Sequence, residues 1–231
     1  MINWGSFNIG SAASVNVLQS QGASAVLLNR VVGTGTSTIN GALTANGQVF
    51  LLNPNGVIIG STGKIDVGGF MASTLGMSDA NFMAGNYKLS KLEGQAGIGA
   101  AAGTIDNQGR ITTNGGTTAL IAGVITNSQA GSIQASGGRV LIAAGDEATL
   151  VLAGGQIIKV TIDAETANAL IANKGTIQAD NGSVYLSTRG ATTTLNGLIN
   201  LDGLVRARSG VVQASSSGDV VQTGAVDVSG Q

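Results

Sequence analysis

Apolar residues in this chain come in short runs set off by Gly, Asn, Ser and Thr, and the pattern returns at a fixed spacing. The clearest stretch is residues 43–67. There Leu43, Val49-Phe50-Leu51-Leu52, Val57-Ile58-Ile59 and Ile65 are separated by Asn46-Gly47, Asn53-Pro54-Asn55-Gly56 and Gly60-Ser61-Thr62-Gly63. No run is long enough for a helix, and short apolar runs bounded by Gly and Asn read as strands joined by turns. Pro54 predicts a type I turn with Asn53 at its first corner and Pro54 at its second. Leu43 and Ile65 stand 22 residues apart, as do Ile111 and Ile133, and Ile177 and Ile199. A fixed step of this size is the signature of a solenoid.

Three later segments align on one template. They begin at Asn107-Gln108-Gly109-Arg110-Ile111, at Ala130-Gly131-Ser132-Ile133 and at Asn173-Lys174-Gly175-Thr176-Ile177, and each continues through a Gly- or Asn-bearing turn toward a short apolar strand. Alternate apolar positions point inward, and Gly or Asn takes the corners. Two strands per repeat are visible and a third is inferred. With each step as one coil and parallel strands ~4.8 Å apart, about ten coils make a rod on the order of 50 Å long. Parallel crossovers are right-handed in nearly all cases. The predicted fold is therefore all-β: a right-handed single-stranded parallel β-helix, or β-solenoid, with coils of about 22 residues. Residues 1–231 form one domain, with motif-rich N-terminal coils over 1–70, an excursion over 71–103, and regular coils over 104–231 that loosen at 146–172.

The interruptions have their own signals. Ser78-Asp79-Ala80-Asn81-Phe82-Met83-Ala84-Gly85 predicts one capped helical turn, with Ser78 or Asp79 as N-cap and Gly85 as terminator. Ile65 and Ile111 are 46 residues apart, which reads as two steps of 22 plus two. Leu150-Val151-Leu152-Ala153-Gly154-Gly155 followed by Ile157-Ile158-Lys159-Val160-Thr161-Ile162 predicts a hairpin about Gly-Gly. Residues 163–172 read as a short helix or an extended loop. The tail stops without a polar cap, which predicts a fragment of a longer parent, and a missing leading cap would expose unpaired strand edges, which predicts end-to-end self-association.

Composition narrows the function classes. Of 231 residues, 37 are Gly and 10% are charged, against the roughly 25% usual in globular domains, so the surface is built from Asn, Ser, Thr and Gly. A net charge of −1 from scattered single charges leaves no basic stripe, and nucleic acid is excluded as a partner. No apolar run approaches the ~18 residues of a membrane-spanning helix. The N-terminus has no signal-peptide pattern, so either the protein is cytosolic or the chain was cut from a precursor. With neither Cys nor His, disulfides, thiolate metal sites and imidazole chemistry are absent, and no metal or cofactor is expected.

Each candidate chemical feature has a plain structural alternative. Asn107, Asn127 and Asn173 at turns read as a stacked ladder that satisfies backbone and amide groups, ahead of ligand contacts. Trp4 and Phe7 read as core or cap packing, ahead of a carbohydrate platform. Thr34, Thr36 and Thr38, like Thr192, Thr193 and Thr194, recur in too few coils for an ice-binding array. Asp146-Glu147 reads as a solvated turn. Asp180 and Asp202 have the 22-residue spacing that would stack an acid pair, so a polysaccharide-processing enzyme stays open as an alternative, alongside a self-assembling fibre unit. With carboxylates otherwise single, the reading is of a non-enzyme.

Four motifs carry a resemblance. They are Trp4-x-x-Phe7-Asn8-Ile9-Gly10; Leu28-Asn29-Arg30-Val31-x-Gly33; the run from Ile39-x-Gly41-x-Leu43 through Val49-Phe50-Leu51-x-Asn53-Pro54-Asn55-Gly56-Val57; and Val67-Gly68-Gly69-x-x-Ala72-Ser73-Thr74. In this order they resemble the secretion domain of filamentous-haemagglutinin-type exoproteins, the secreted partners of two-partner secretion systems. The resemblance implies a parallel β-helix at the N-terminus of a large adhesin, haemagglutinin or contact-dependent toxin. It also implies recognition by the periplasmic domains of a dedicated outer-membrane β-barrel transporter, with Asn29, Arg30, Val31, Asn53, Pro54, Asn55 and Gly56 as the recognition residues. By the same resemblance the parent is secreted, or displayed on a Gram-negative surface, by way of the periplasm, and it is the parent that would meet host-cell or matrix ligands. A side-chain amide of Asn53 or Asn55 is expected to be spare for the transporter.

Overall fold

The computed structural model describes residues 1–91, 103–113, 115–166, 169–190 and 198–230. Each coil runs through three faces of parallel strands. On the first face lie Ser14–Val17, the leading halves of Ala42–Leu52 and Lys64–Ser73, then Arg110–Thr113, Ser132–Gln134, Thr176–Gln178, Leu204–Arg206 and Ala225–Asp227. The second face carries Ile2–Trp4, Val26–Val31, the trailing halves of the same two long strands, Thr117–Ala122, Arg139–Ala144, Ser183–Thr188 and Val211–Ser216. The third is the inferred strand, from Ser37–Ile39 to Val220–Gln222, with Ile9 bridged to Ile39 at its start. Residues 2–17 thus form a first coil. A parallel β-helix is the fold.

The step of 22 holds only in part. One interior column runs Val15, Leu43, Ile65, Ile111, Ile133, Ile177, Val205, Val226. Leu43 and the four isoleucines in it are at most 1% exposed. Ile199 is buried too, but it stacks between Ile171 and Val220 on the third face, and the neighbour of Ile177 is Val205. Ile65 and Ile111 are direct neighbours, so their 46-residue gap is one coil with an insertion, not two coils. The first face therefore stacks eight strands among the described residues, not ten coils, and seven spacings give a length of about 34 Å.

Two insertions build a second layer. Helix Asp79–Met83 starts as expected, with Ser78 Oγ accepting from the Asn81 N–H, and Gly85 follows it at φ +71. The chain stays on the coil through Ser73, so the excursion begins at Thr74. The Gly-Gly hairpin is present as Glu147–Ala153 and Gln156–Ala164, with φ of +58 and +81 at Gly154 and Gly155. Residues 163 and 164 end its second strand, and Leu170–Asn173 is a coil strand. Among the described residues of 163–172 there is thus strand where a helix or loop was expected. Strand Lys88–Ser90 pairs antiparallel with Glu147–Ala153, which makes a three-stranded lateral sheet from the two insertions.

That sheet covers the outside of the second face. Leu28, Phe50, Met71, Ala119 and Leu141 form an outward row and pack beneath Leu89, Leu150, Ile157 and Ile162 in a core separate from the solenoid interior. Runs such as Val49-Phe50-Leu51-Leu52 lack alternation because their strands are buried on both sides.

Candidate recognition site

The Asn53-Pro54-Asn55-Gly56 corner is built from its own polar groups. The Gly56 N–H donates to the Asn53 carbonyl at 3.0 Å, which closes the expected four-residue turn. The Asn55 N–H donates to Asn53 Oδ1 at 3.0 Å, an Asx turn that competes well with solvent at a buried site. Gly56 sits at φ +110, where a side chain would be strained. Asn53 is 0% exposed, and its Nδ2 donates to the Gly35 carbonyl at 3.0 Å and to Ser37 Oγ at 2.9 Å. Asn55 Nδ2 donates to the Gly33 carbonyl at 2.9 Å and to Asn53 Oδ1 at 3.1 Å. Both Nδ2 groups and Asn53 Oδ1 are thus engaged in the fold, so Asn53 has no spare amide group: the corner ties the loop at 33–37 to the next coil.

Asn29, Arg30 and Val31 sit next to this corner on the second face, and all three are buried. Val31 points into the solenoid core. Asn29 also faces inward, taking the Trp4 Nε1 proton at 3.1 Å and donating to the Phe50 carbonyl at 3.3 Å. Trp4 meets Phe7 edge to face at 5.6 Å, so the pair packs the first coil. Arg30 faces outward. Its guanidinium pairs with Asp79 of the inserted helix and donates to the Met77 carbonyl at 2.6 Å. Sequence reasoning missed this role, and its only trace is a lone cation in an apolar strand followed later by a capped acidic turn.

The structure disperses the acidic candidates. Asp202 lies in the corner between the third and first faces, where Thr223 Oγ1 donates to it. Asp180 lies in the next corner, held by Arg206 Nη2 at 2.7 Å and by the Arg208 N–H at 3.1 Å. Their spacing therefore does not stack them. The Arg206 hydrogen bond holds the Asp180 carboxyl below its ordinary value, and bonds from Ser229, then Arg208, bring Asp227 down to about 2. Asp146 and Glu147 are ion-paired with Lys91 at 2.6 Å and Lys88 at 3.2 Å, so this pair stitches the lateral sheet and is more than a solvated turn. Asn107, Asn127 and Asn173 do form a buried ladder, with two amide-to-amide bonds of 2.8 Å.

Fold and site together define a β-solenoid scaffold with a polar signature wound into its opening coils. The TPS secretion domain model matches residues 1–230, and the chain belongs to that family, the secretion domains of two-partner secretion exoproteins. It is 32% identical over 201 residues to the heme/hemopexin-binding protein of Haemophilus influenzae (strain ATCC 51907 / DSM 11121 / KW20 / Rd), covering 84% of this chain and 21% of that protein. A second heme/hemopexin-binding protein of Haemophilus influenzae is 41% identical over 90 residues, 39% of this chain and 10% of that one. The crystal structure of the HMW1 secretion domain from Haemophilus influenzae superposes with a TM-score of 0.74 at 28% identity, covering 99% of this chain and 66% of that one. The chain spans about a fifth of the first relative's length and a tenth of the second's.

Proposed function

We propose that this domain is the address its outer-membrane transporter reads through periplasmic domains, and the template on which the rest of a secreted surface adhesin winds. The observation behind this is the burial of the motif residues. Asn53 is fully enclosed with its amide spent inside the coil, so a partner that recognises it meets the chain before the coil closes. Folding then withdraws the motif, which releases the partner and gives passage a direction. A chain without cysteine suits this route, since no disulfide can close a loop ahead of the pore. Parent, leader and transporter enter through the family, and the adhesin role and surface location belong to this same proposal.

The test is export of the chain behind a signal peptide with its cognate transporter, measured beside the denaturant midpoint. Asn53→Ala should cost about 2–3 kcal/mol, because Ser37 and the Asn55 amide lose their partner in a dry site. Asn173→Ala should cost a similar amount, since it breaks the ladder in a late coil. Secreted yield should fall for Asn53→Ala and Asn55→Ala well beyond its fall for Asn173→Ala. Yield that merely tracks stability across the three variants would reduce the corner to a turn.

A further inference from the structure

The lateral sheet ends on an open strand, and that edge overlooks a groove. Strand Gln156–Ala164 pairs with Glu147–Ala153 on one side and with no strand on the other among the described residues. Beside it lies a groove of about 870 Å³ whose floor continues the outward row of the second face, from Leu141 to Tyr185 and Gln213. The row changes character along its length: Leu141 is buried under the sheet, while Tyr185 is 36% exposed. The wall contributes Ile158, itself exposed, with Lys159 and Arg189 at the rim. Two cations and no carboxylate line the groove among the described residues. Arg189 shares its charge with Glu165 at 3.5 Å, whereas Lys159 has no ion-pair partner among the described residues.

The main chain on this edge points outward at Val160, while two residues further along the Ile162 carbonyl already accepts from Arg189 Nη1 at 3.5 Å. The Leu150 N–H donates to the Tyr87 carbonyl at 2.9 Å, so the Leu150 backbone faces away from the outer strand. Val160 lies opposite Leu150. In an antiparallel pair, opposed residues turn their backbone groups both toward each other or both away. The Val160 N–H and C=O therefore face the groove, as donor and acceptor at strand spacing. An edge of this kind is a template for one more strand.

We propose that this edge takes an extended, acidic polypeptide segment as a fourth strand, with apolar side chains laid on Ile158 and Tyr185 and a carboxylate beside Lys159. The inference is independent of the export reading. Alternating backbone groups favour a peptide over an anionic glycan, because a sugar chain offers no N–H and C=O pair at the strand repeat.

The probe is a fluorescein-labelled heptapeptide, VEVTVEV, with its lysine counterpart VKVTVKV and a polygalacturonate oligomer as the other arms. Anisotropy should show VEVTVEV bound, with affinity reduced by about tenfold in Lys159→Glu, as for loss and reversal of a close charge contact. Val160→Pro removes the outward N–H without touching the bonds to Glu147–Ala153, and it should abolish binding. Amide exchange on the unaltered protein gives a readout that needs no variant: Val160 should slow on adding VEVTVEV. Equal binding of VKVTVKV, an unchanged Val160 exchange rate, or polygalacturonate binding that depends on Lys159 but survives Val160→Pro would each overturn the proposal.

Discussion

Asn127 illustrates what a single polar side chain contributes at the centre of this molecule. Its amide accepts from Asn107 and donates to Asn173, both at 2.8 Å, where no water competes and the alternative is an unpaired group in an apolar interior. The ladder ends where the next residues in register are Ile59 and Leu201, which can neither give nor take a proton. Asn127→Ala should therefore strand the Asn107 amide and the Asn173 carbonyl oxygen together. A loss of about 2–4 kcal/mol in urea titration is expected, and a loss under ~0.5 kcal/mol would show that the amides contribute little to the stack.

At the scale of elements, Arg30 and the lateral sheet do what coil stacking alone does not. Arg30 is 8% exposed, and its charge is met by a helix that arrives 49 residues later. The pair is lopsided, because the Asp79 side chain is 57% exposed and keeps much of its hydration. Removing the acid leaves a cation in a nearly dry place, still bonded to the Met77 carbonyl, while replacing the arginine by an apolar chain of similar length frees the carboxylate to water but strands that buried carbonyl. Asp79→Ala should thus destabilise by about 1–2 kcal/mol, at the low end for buried pairs because of that exposure, and Arg30→Met by more, since it leaves the Met77 carbonyl without its donor. The order of the two denaturant midpoints checks this; the reverse order would put the cost of the uncompensated cation above that of the stranded carbonyl.

Over the whole molecule the two ends are held differently. The opening coils are clasped by the lateral sheet, whose hairpin tip reaches the first turn: a Cβ at Gly155 would come within 2.1 Å of the Ser24 carbonyl oxygen. The closing coils lie beyond that sheet and rely on stacking plus the charged corner of Asp180, Arg206, Arg208 and Asp227. Both carboxyls sit below the ordinary 3.8 in the folded state, Asp227 at about 2. A lowered folded value means the stabilisation is present above pH ~4 and is lost as pH falls from there toward 2. Amide exchange between pH 4 and 2 should therefore open strands Leu204–Arg206 and Ala225–Asp227 before Lys64–Ser73. Uniform loss along the solenoid would contradict this division.

The sequence by itself determined the parallel β-helix, the inward column from Leu43 to Ile177, the capped turn at Ser78, the Gly-Gly hairpin and the asparagine ladder. Each of these follows from local periodicity or turn chemistry that neighbouring residues enforce. The tertiary structure decided which coils are adjacent. An insertion can fill 22 residues without adding a coil, so spacing alone placed Ile199 beside Ile177 and left room for an acid pair at Asp180 and Asp202. It also decided that Arg30 meets Asp79 and that two distant insertions join over one face. No short-range signal encodes these contacts, because they depend on which apolar surfaces remain uncovered once the coils have stacked.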